Sequence, residues 1–327
     1  MKPSRVVFAA LAGTFFATAA FADPVLYVAA GSANKVLAVD PVANKVIQQF
    51  DGIENPHALV TTSDGEYVIA GSLKEKRDKT DAKAKPESTI YIVHPAHGHV
   101  MSTMPAVGMI HHQAITPNDR YVISTHPTQG AISYADLEGD GGVKMLKTGP
   151  SPNYTVITKD GKTAFVSNSG DGTVSEIDLT SWTVKRQIKV GGFPEHMALS
   201  KDEKTLFSIN PRGGNVSVIS IADGKVLKEL DVGKGAHGLG LSEDGKTLFA
   251  TSKKREVLVA FDLESGNVRE LPLSPAPYHL EAVKGTGKVY VSSRKAPKIW
   301  VVDPQKMEVV GEIAISGEGH QMALGNL

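Results

Sequence analysis

The stretch "GKGAHGLGLSEDGKTLFATS", residues 233–252, decides the fold. An apolar run opens at His237, breaks at Glu243-Asp244-Gly245 and resumes at Thr247. Alternating apolar residues on either side of a glycine-bearing turn mark two antiparallel strands. The phrase returns as "NPHALVTTSDGEYVIAGS" (55–72), "HHQAITPNDRYVIST" (111–125), "FPEHMALSKDEKTLFSI" (193–209) and "PYHLEAVKGTGKVYVSS" (277–293). A shortened copy, "GHQMALGNL", ends the chain at 319–327. Between copies lies a second hairpin, as in "TVSEIDLTSWTVKRQIKVG" and "NVSVISIADGKVLKELDVG".

Counted from the start of the phrase, the copies begin at His57, His112, Asn153, His196, His237, His279 and His320. The steps are 55, 41, 43, 41, 42 and 41 residues. Four short strands per unit, repeated seven times, predict an all-β, seven-bladed propeller with four antiparallel strands per blade. The repeat opens with three strands and closes with one. The C-terminal strand is therefore expected to complete the first blade, leaving no sheet edge open. The long first step comes from "LKEKRDKTDAKAKPES", residues 73–88, a charged insertion expected to form a flexible loop and a possible flap.

Residues 1–22, "MKPSRVVFAALAGTFFATAAFA", have Lys2 and Arg5, an apolar run and Ala20-Phe21-Ala22. These are the parts of a secretory signal peptide, too short for a strong membrane span. Residues 23–327 are then the propeller, exported to the periplasm or secreted, with no membrane span after removal of the leader. The 35 basic and 35 acidic residues balance, which argues against nucleic-acid binding driven by bulk charge. Cysteine is absent, so disulfides, thiolate metal sites, c-type haem attachment and iron–sulfur clusters are excluded.

Seven of the 11 histidines fall at one structural address, the start of the innermost strand of a blade. That end of the strand faces the mouth of the central channel, so His57, His111, His112, His196, His237, His279 and His320 are candidate metal ligands. Imidazole suits zinc and copper, and three or four suffice for either. Aligned on the apolar residue of each strand, His57, His112 and His196 stand three residues before it. His111, Asn153, His237, His279 and His320 stand four before it. Since a one-residue slip turns a strand side chain over, two tiers are expected. His111, His237, His279 and His320 form the expected four-ligand set.

His126, Glu195, Arg212 and Arg294 are possible additions, with Glu281 as a further carboxylate. Lys253, Lys254, Arg255 and Lys295 would add positive charge at the mouth for an anionic ligand or acidic partner. His94, His97 and His99, with Met101 and Met104, fall in a hairpin on the opposite face, where a solvated turn is expected. The bland alternative is an inherited repeat whose imidazoles satisfy loop carbonyls. No nucleophile motif or phosphate-binding glycine loop occurs, so no reaction is specified.

"YVAAGSANKVLAVDP", "FVSNSGDGTVSEIDL" and "FSINPRGGNVSVIS" resemble the YVTN-repeat propellers, which share their blade pattern with the d1-haem domain of cytochrome cd1 nitrite reductase. The resemblance covers the chain beyond the leader. It implies the fold and leaves function open among enzymes, cofactor carriers and ligand-binding proteins. The histidine placement also resembles the copper centre of nitrous oxide reductase, whose cysteine-bearing copper domain has no counterpart here. Periplasmic zinc-chaperone propellers are closer in size. The reading is an exported zinc- or copper-binding propeller that passes metal to a periplasmic receiving protein or transporter component. The alternatives are a redox enzyme or carrier using copper or d1-type haem, and a metal-free interaction scaffold.

Overall fold

Residues 24–77, 80–81, 83–139 and 142–326 are described in the computed structural model. The expected leader, 1–22, lies outside them. Seven four-stranded antiparallel sheets follow one another around an axis. Blades 2 to 7 are each built from four consecutive strands, starting with inner strands Pro56–Thr61, Gln113–Ile115, Pro152–Ile157, Met197–Leu199, Ala236–Leu241 and Pro277–Val283. Blade 1 takes its inner strand, Gly319–Asn326, from the C-terminus and pairs it antiparallel with Pro24–Ala30. The ring is closed by that strand, as the repeat count predicts. Among the described residues no helix is long and apolar enough to cross a membrane.

Local chemistry sets the turns. The turn after the inner strand repeats Thr/Ser-x-Asp, whose hydroxyl bonds the Asp carboxylate: Thr62 to Asp64, Thr158 to Asp160, Ser200 to Asp202 and Ser242 to Asp244, at 2.6–2.7 Å. The outer hairpins turn at an Asp whose Oδ1 accepts backbone N–H groups two and three residues on, as at Asp178 with Thr180 (2.8 Å) and Ser181 (3.0 Å). His94 occupies that position in blade 2, and there Gly98 N–H bonds the His94 carbonyl instead.

Stability comes from sheet-on-sheet packing between neighbouring blades. Phe165, Val174 and Ile188 of blade 4 meet Leu206 and Ile219 of blade 5, and Phe249 and Leu258 of blade 6 meet Val289 and Trp300 of blade 7. Blade 1 packs on both sides, through Tyr27 against Leu59 and Val68, and through Leu26 and Val28 against Tyr290 and Val301. Each such side chain stabilises by about 1.5–3 kcal/mol when fully buried. The outer strands are mostly half-buried or exposed and carry charged residues such as Lys185, Lys225 and Glu229, which blunts these free edges against pairing.

The insertion differs in part from the flexible loop expected. Its stem is tied down: Lys76 and Glu87 exchange backbone hydrogen bonds at 2.7 and 2.8 Å. Glu75 accepts from Met109 N (2.9 Å) and Thr128 Oγ1 (2.7 Å) of the next blade. The next strand already begins at Glu87, because that backbone pairing extends it.

Candidate functional site

In blades 3, 4 and 6 a hydroxyl on the second strand holds the start of the next blade's inner strand at the mouth. Thr125 Oγ1 donates to the Asn153 carbonyl (2.8 Å), Ser167 Oγ to that of Glu195 (2.7 Å) and Thr251 Oγ1 to that of Tyr278 (2.6 Å). Each bond reaches from one blade to the start of the next inner strand and fixes Asn153, His196 and His279, or the residue beside them, at the mouth. Gly238 allows the closest approach. A Cβ there would lie 2.3 Å from the Tyr278 carbonyl oxygen and 3.3 Å from His279 Cα.

All seven predicted histidines converge. Ring centroids are 4.3 Å apart for His57–His320, 4.5 Å for His57–His111 and His111–His112, and 4.9 Å for His112–His196. His196 stands 4.7 Å from His237 and 4.8 Å from His279. Asn153 holds the one inner-strand start without imidazole. Tyr154 beside it lies edge-on to His112 and His196, at 4.9 and 4.8 Å.

The two tiers have distinct roles. The three histidines set one residue closer to the strand each turn Nδ1 to the backbone carbonyl of the following blade. His57 bonds His111 O (2.6 Å), His112 bonds Asn153 O (3.0 Å) and His196 bonds His237 O (2.7 Å). A carbonyl only accepts, so Nδ1 must carry the proton and Nε2 is left as a bare lone pair. Backbone anchoring of this kind is the usual support for a metal-ligating histidine. His112 Nε2 and His196 Nε2 then face each other at 3.2 Å with no proton between them. Two nitrogens on one tetrahedral ion, each about 2.05 Å from the metal, are about 3.3 Å apart.

Burial decides the charge of the cage. Desolvation holds His57, His112, His237 and His279 well below the ordinary imidazole range and lowers His111 to about 4 and His196 and His320 to about 3. All are neutral at pH 7, the form that binds metal. Several buried ring nitrogens have no hydrogen-bond partner: His111 Nδ1, both nitrogens of His237, His279 Nε2 and His320 Nδ1. Unpaired buried polar atoms at this density call for an occupant. Glu195 Oε2 lies 2.9 Å from His237 Nδ1 but out of line for a hydrogen bond, and burial raises its carboxyl to about 7.

Among the described residues, four groups of three have ligand atoms close enough to share an ion. They are His57/His111/His112, His57/His279/His320, His112/His196/His279 and Glu195/His196/His237. The expected set of His111, His237, His279 and His320 is not among them. His111 groups with its neighbour His112 and with His57, while His237 groups with His196 and Glu195, because every group draws on both tiers and the expected set lay in one.

The remaining candidates separate. Glu195 belongs to the cage. Arg294 stands at the mouth, ion-paired with Glu318 and with its guanidinium 5.3 Å from the Tyr278 ring. Arg212 lies over Phe193 at 4.2 Å, at a separate surface hollow between blades 4 and 5. His126 does not join the site. It is fully buried in blade 3, with Nδ1 on the Met109 carbonyl (3.0 Å) and Nε2 on Ser133 Oγ (2.7 Å). As the last residue of its strand it alternates into the wall, not the mouth. Lys253 is half-buried 5.0 Å from Tyr278, and burial lowers its ammonium. Lys254, Arg255 and Lys295 are exposed on the rim. His94, His97 and His99 stack in file at 4.1 and 6.0 Å and do not converge as ligands.

Sequence reasoning missed three residues beside the histidines. Tyr278 stacks flat on His237 at 4.2 Å and caps the cage. Glu318 lies at the mouth, 3.9 Å from His320. Gln321 crosses the channel, accepting from Leu59 N (3.1 Å) and Gln113 N (3.2 Å) and donating to Gln113 O (2.9 Å). All three sit within two residues of a cage histidine, which is the signal that points to them. Below the cage, Glu281 and Tyr154 border a small cavity of about 10 Å³, room for one water. Burial raises the Glu281 carboxyl to about 7.

Comparison with known proteins follows the fold. A family profile for YNCE-like β-propellers matches residues 116–245. No curated protein sequence matches significantly. Similar solved structures include the periplasmic gluconolactonase PpgL of Pseudomonas aeruginosa (17% identity, 92% of this chain and 99% of that one, TM-score 0.71). Hydrazine synthase of Kuenenia stuttgartiensis is another (19% identity, 77% of each chain, TM-score 0.67). A third is the dihydro-heme d1 dehydrogenase NirN in complex with DHE (13% identity, 89% of this chain and 63% of that one, TM-score 0.67). At these identities the likeness carries the fold alone. The chain is a seven-bladed β-propeller, and residues 116–245 of it are similar to the YNCE-like propellers.

Proposed function

We propose that the protein is an exported metal-binding propeller whose cage takes zinc or copper through His112, His196 and His279, and that it delivers the ion to a periplasmic receiving protein or transporter component. One observation carries this reading: two backbone-anchored imidazoles present unprotonated Nε2 atoms to each other at 3.2 Å, the spacing of two ligands on one ion. The unpaired nitrogens around them support it. The basic rim of Lys254, Arg255 and Lys295 suits an acidic receiving surface. Export rests on the leader read in residues 1–22, and the similarity to a periplasmic gluconolactonase is consistent with it.

A d1-type haem has less support as the occupant. The rings of the cage touch one another and leave no slot for a macrocycle, so only a histidine at the mouth would reach one. Zinc and copper titrations of the purified chain test the proposal. The His112→Ala/His196→Ala double variant should lose more than about 100-fold in affinity while remaining folded, and His97→Ala on the opposite face should not change it. Equal affinity in the double variant and the parent would remove the site. No uptake of either metal by the parent would favour the metal-free scaffold.

A further inference from the structure

We infer that the cage contains two metal stations joined by His279: an inner one at His112, His196 and His279, and an outer one at His57, His279 and His320 through which ions are exchanged. Glu318 is the outer station's capture ligand and Arg294 its latch. This rests on the metal-binding reading above.

The two triads have His279 in common, so an ion moving between them keeps one imidazole throughout. They face different spaces. His57 and His320 line a cavity of about 470 Å³ open at the mouth, with Ser32, Asn55, Arg294 and Glu318 on its walls. His196 and His279 instead border the one-water cavity deeper in the channel. Ions from solvent therefore meet the outer triad first.

Glu318 stands where an arriving cation would stop. Its Oε2 is 3.9 Å from His320 Nε2, its side chain is 38% exposed, and its backbone N–H donates to Ser32 Oγ at 3.0 Å, which fixes the loop. The same oxygen is ion-paired with Arg294 Nη1. A carboxylate can take a hydrated divalent cation before imidazoles strip its remaining water. While Arg294 holds that oxygen, the one facing His320 is occupied, so the guanidinium must release it before an ion is shared between Glu318 and His320. The Tyr278 ring offers the guanidinium a second resting place at 5.3 Å.

The test is stopped-flow exchange of zinc, as Zn²⁺ alone, between the full chain and a fluorescent chelator. Glu318→Gln should slow both loading and release about 10-fold or more, with the number of tightly bound ions unchanged. Arg294→Ala should speed both. Urea midpoints near the parent's would show that each variant is folded; if Arg294→Ala is not, Glu318→Gln decides alone. Exchange rates within twofold of the parent for Glu318→Gln, with zinc still bound, would overturn the two-station inference and leave the metal site standing. A parent that binds no zinc or copper would overturn both.

Discussion

Replacing Gln321 by leucine is the sharpest test of how the ring is closed over its site. Leucine is apolar and of similar bulk, though it branches one carbon earlier, so most of the packing is kept while all the hydrogen bonding is lost. Gln321 lies on the C-terminal strand of blade 1 yet bonds Leu59 of blade 2 and both backbone groups of Gln113 in blade 3. It is 7% exposed, so water does not readily replace it. Three bonds at about 1 kcal/mol each, plus the desolvation penalty of partners left unpaired, give a loss of about 3–5 kcal/mol. That is a large share of the 5–15 kcal/mol typical of a whole domain. Urea unfolding should show a lower midpoint with an unchanged slope, since the surface exposed on unfolding is the same. A loss under about 1 kcal/mol would refute the reasoning, because it would mean that the crossing bonds are exchanged for others without penalty.

Gly238→Ala should destabilise by at least about 1–3 kcal/mol, measured by the same unfolding, because its methyl meets backbone of the next blade at 2.3 Å. A neutral result would mean that the inner strands of blades 6 and 7 can part freely. Acid should act on the hairpin turns as well. Backbone N–H groups of Ser181 and Thr180 hold the Asp178 carboxyl at about 2, below its unfolded value of about 3.9. Its contribution is present above pH 4 and fades as pH falls through 2, so the stability gap between the parent and Asp178→Asn should close over that window. A gap that persists at pH 2 would contradict this.

The architecture was legible because a propeller writes its blade into the sequence every 41–43 residues, and an open ring would strand the lone C-terminal run. The address of the cage was legible for the same reason, since six of the seven copies deliver a histidine to the same end of the same strand. The grouping of ligands was not. It depends on where each inner strand starts to pair, and blades 3 and 5 pair over only three residues, Gln113–Ile115 and Met197–Leu199. His112 and His196 therefore sit ahead of the strand, free to turn Nδ1 onto the next blade. His126 was misjudged because alternation at a strand end sends a side chain to wall or mouth, and composition does not distinguish them. Glu318 escaped notice because its role comes from a loop that brings it to Arg294, 24 residues earlier in the sequence.

X-ray absorption at the zinc or copper edge, on protein loaded with one equivalent and freed of excess, tests the central claim most directly. A first shell of nitrogen at about 2.0–2.1 Å, with the outer scattering of three or more imidazole rings, is the result expected from His112, His196 and His279. That signal should be lost in the His112→Ala/His196→Ala variant. An oxygen-only shell without imidazole scattering, or a spectrum unchanged in the variant, would contradict the cage as the metal site.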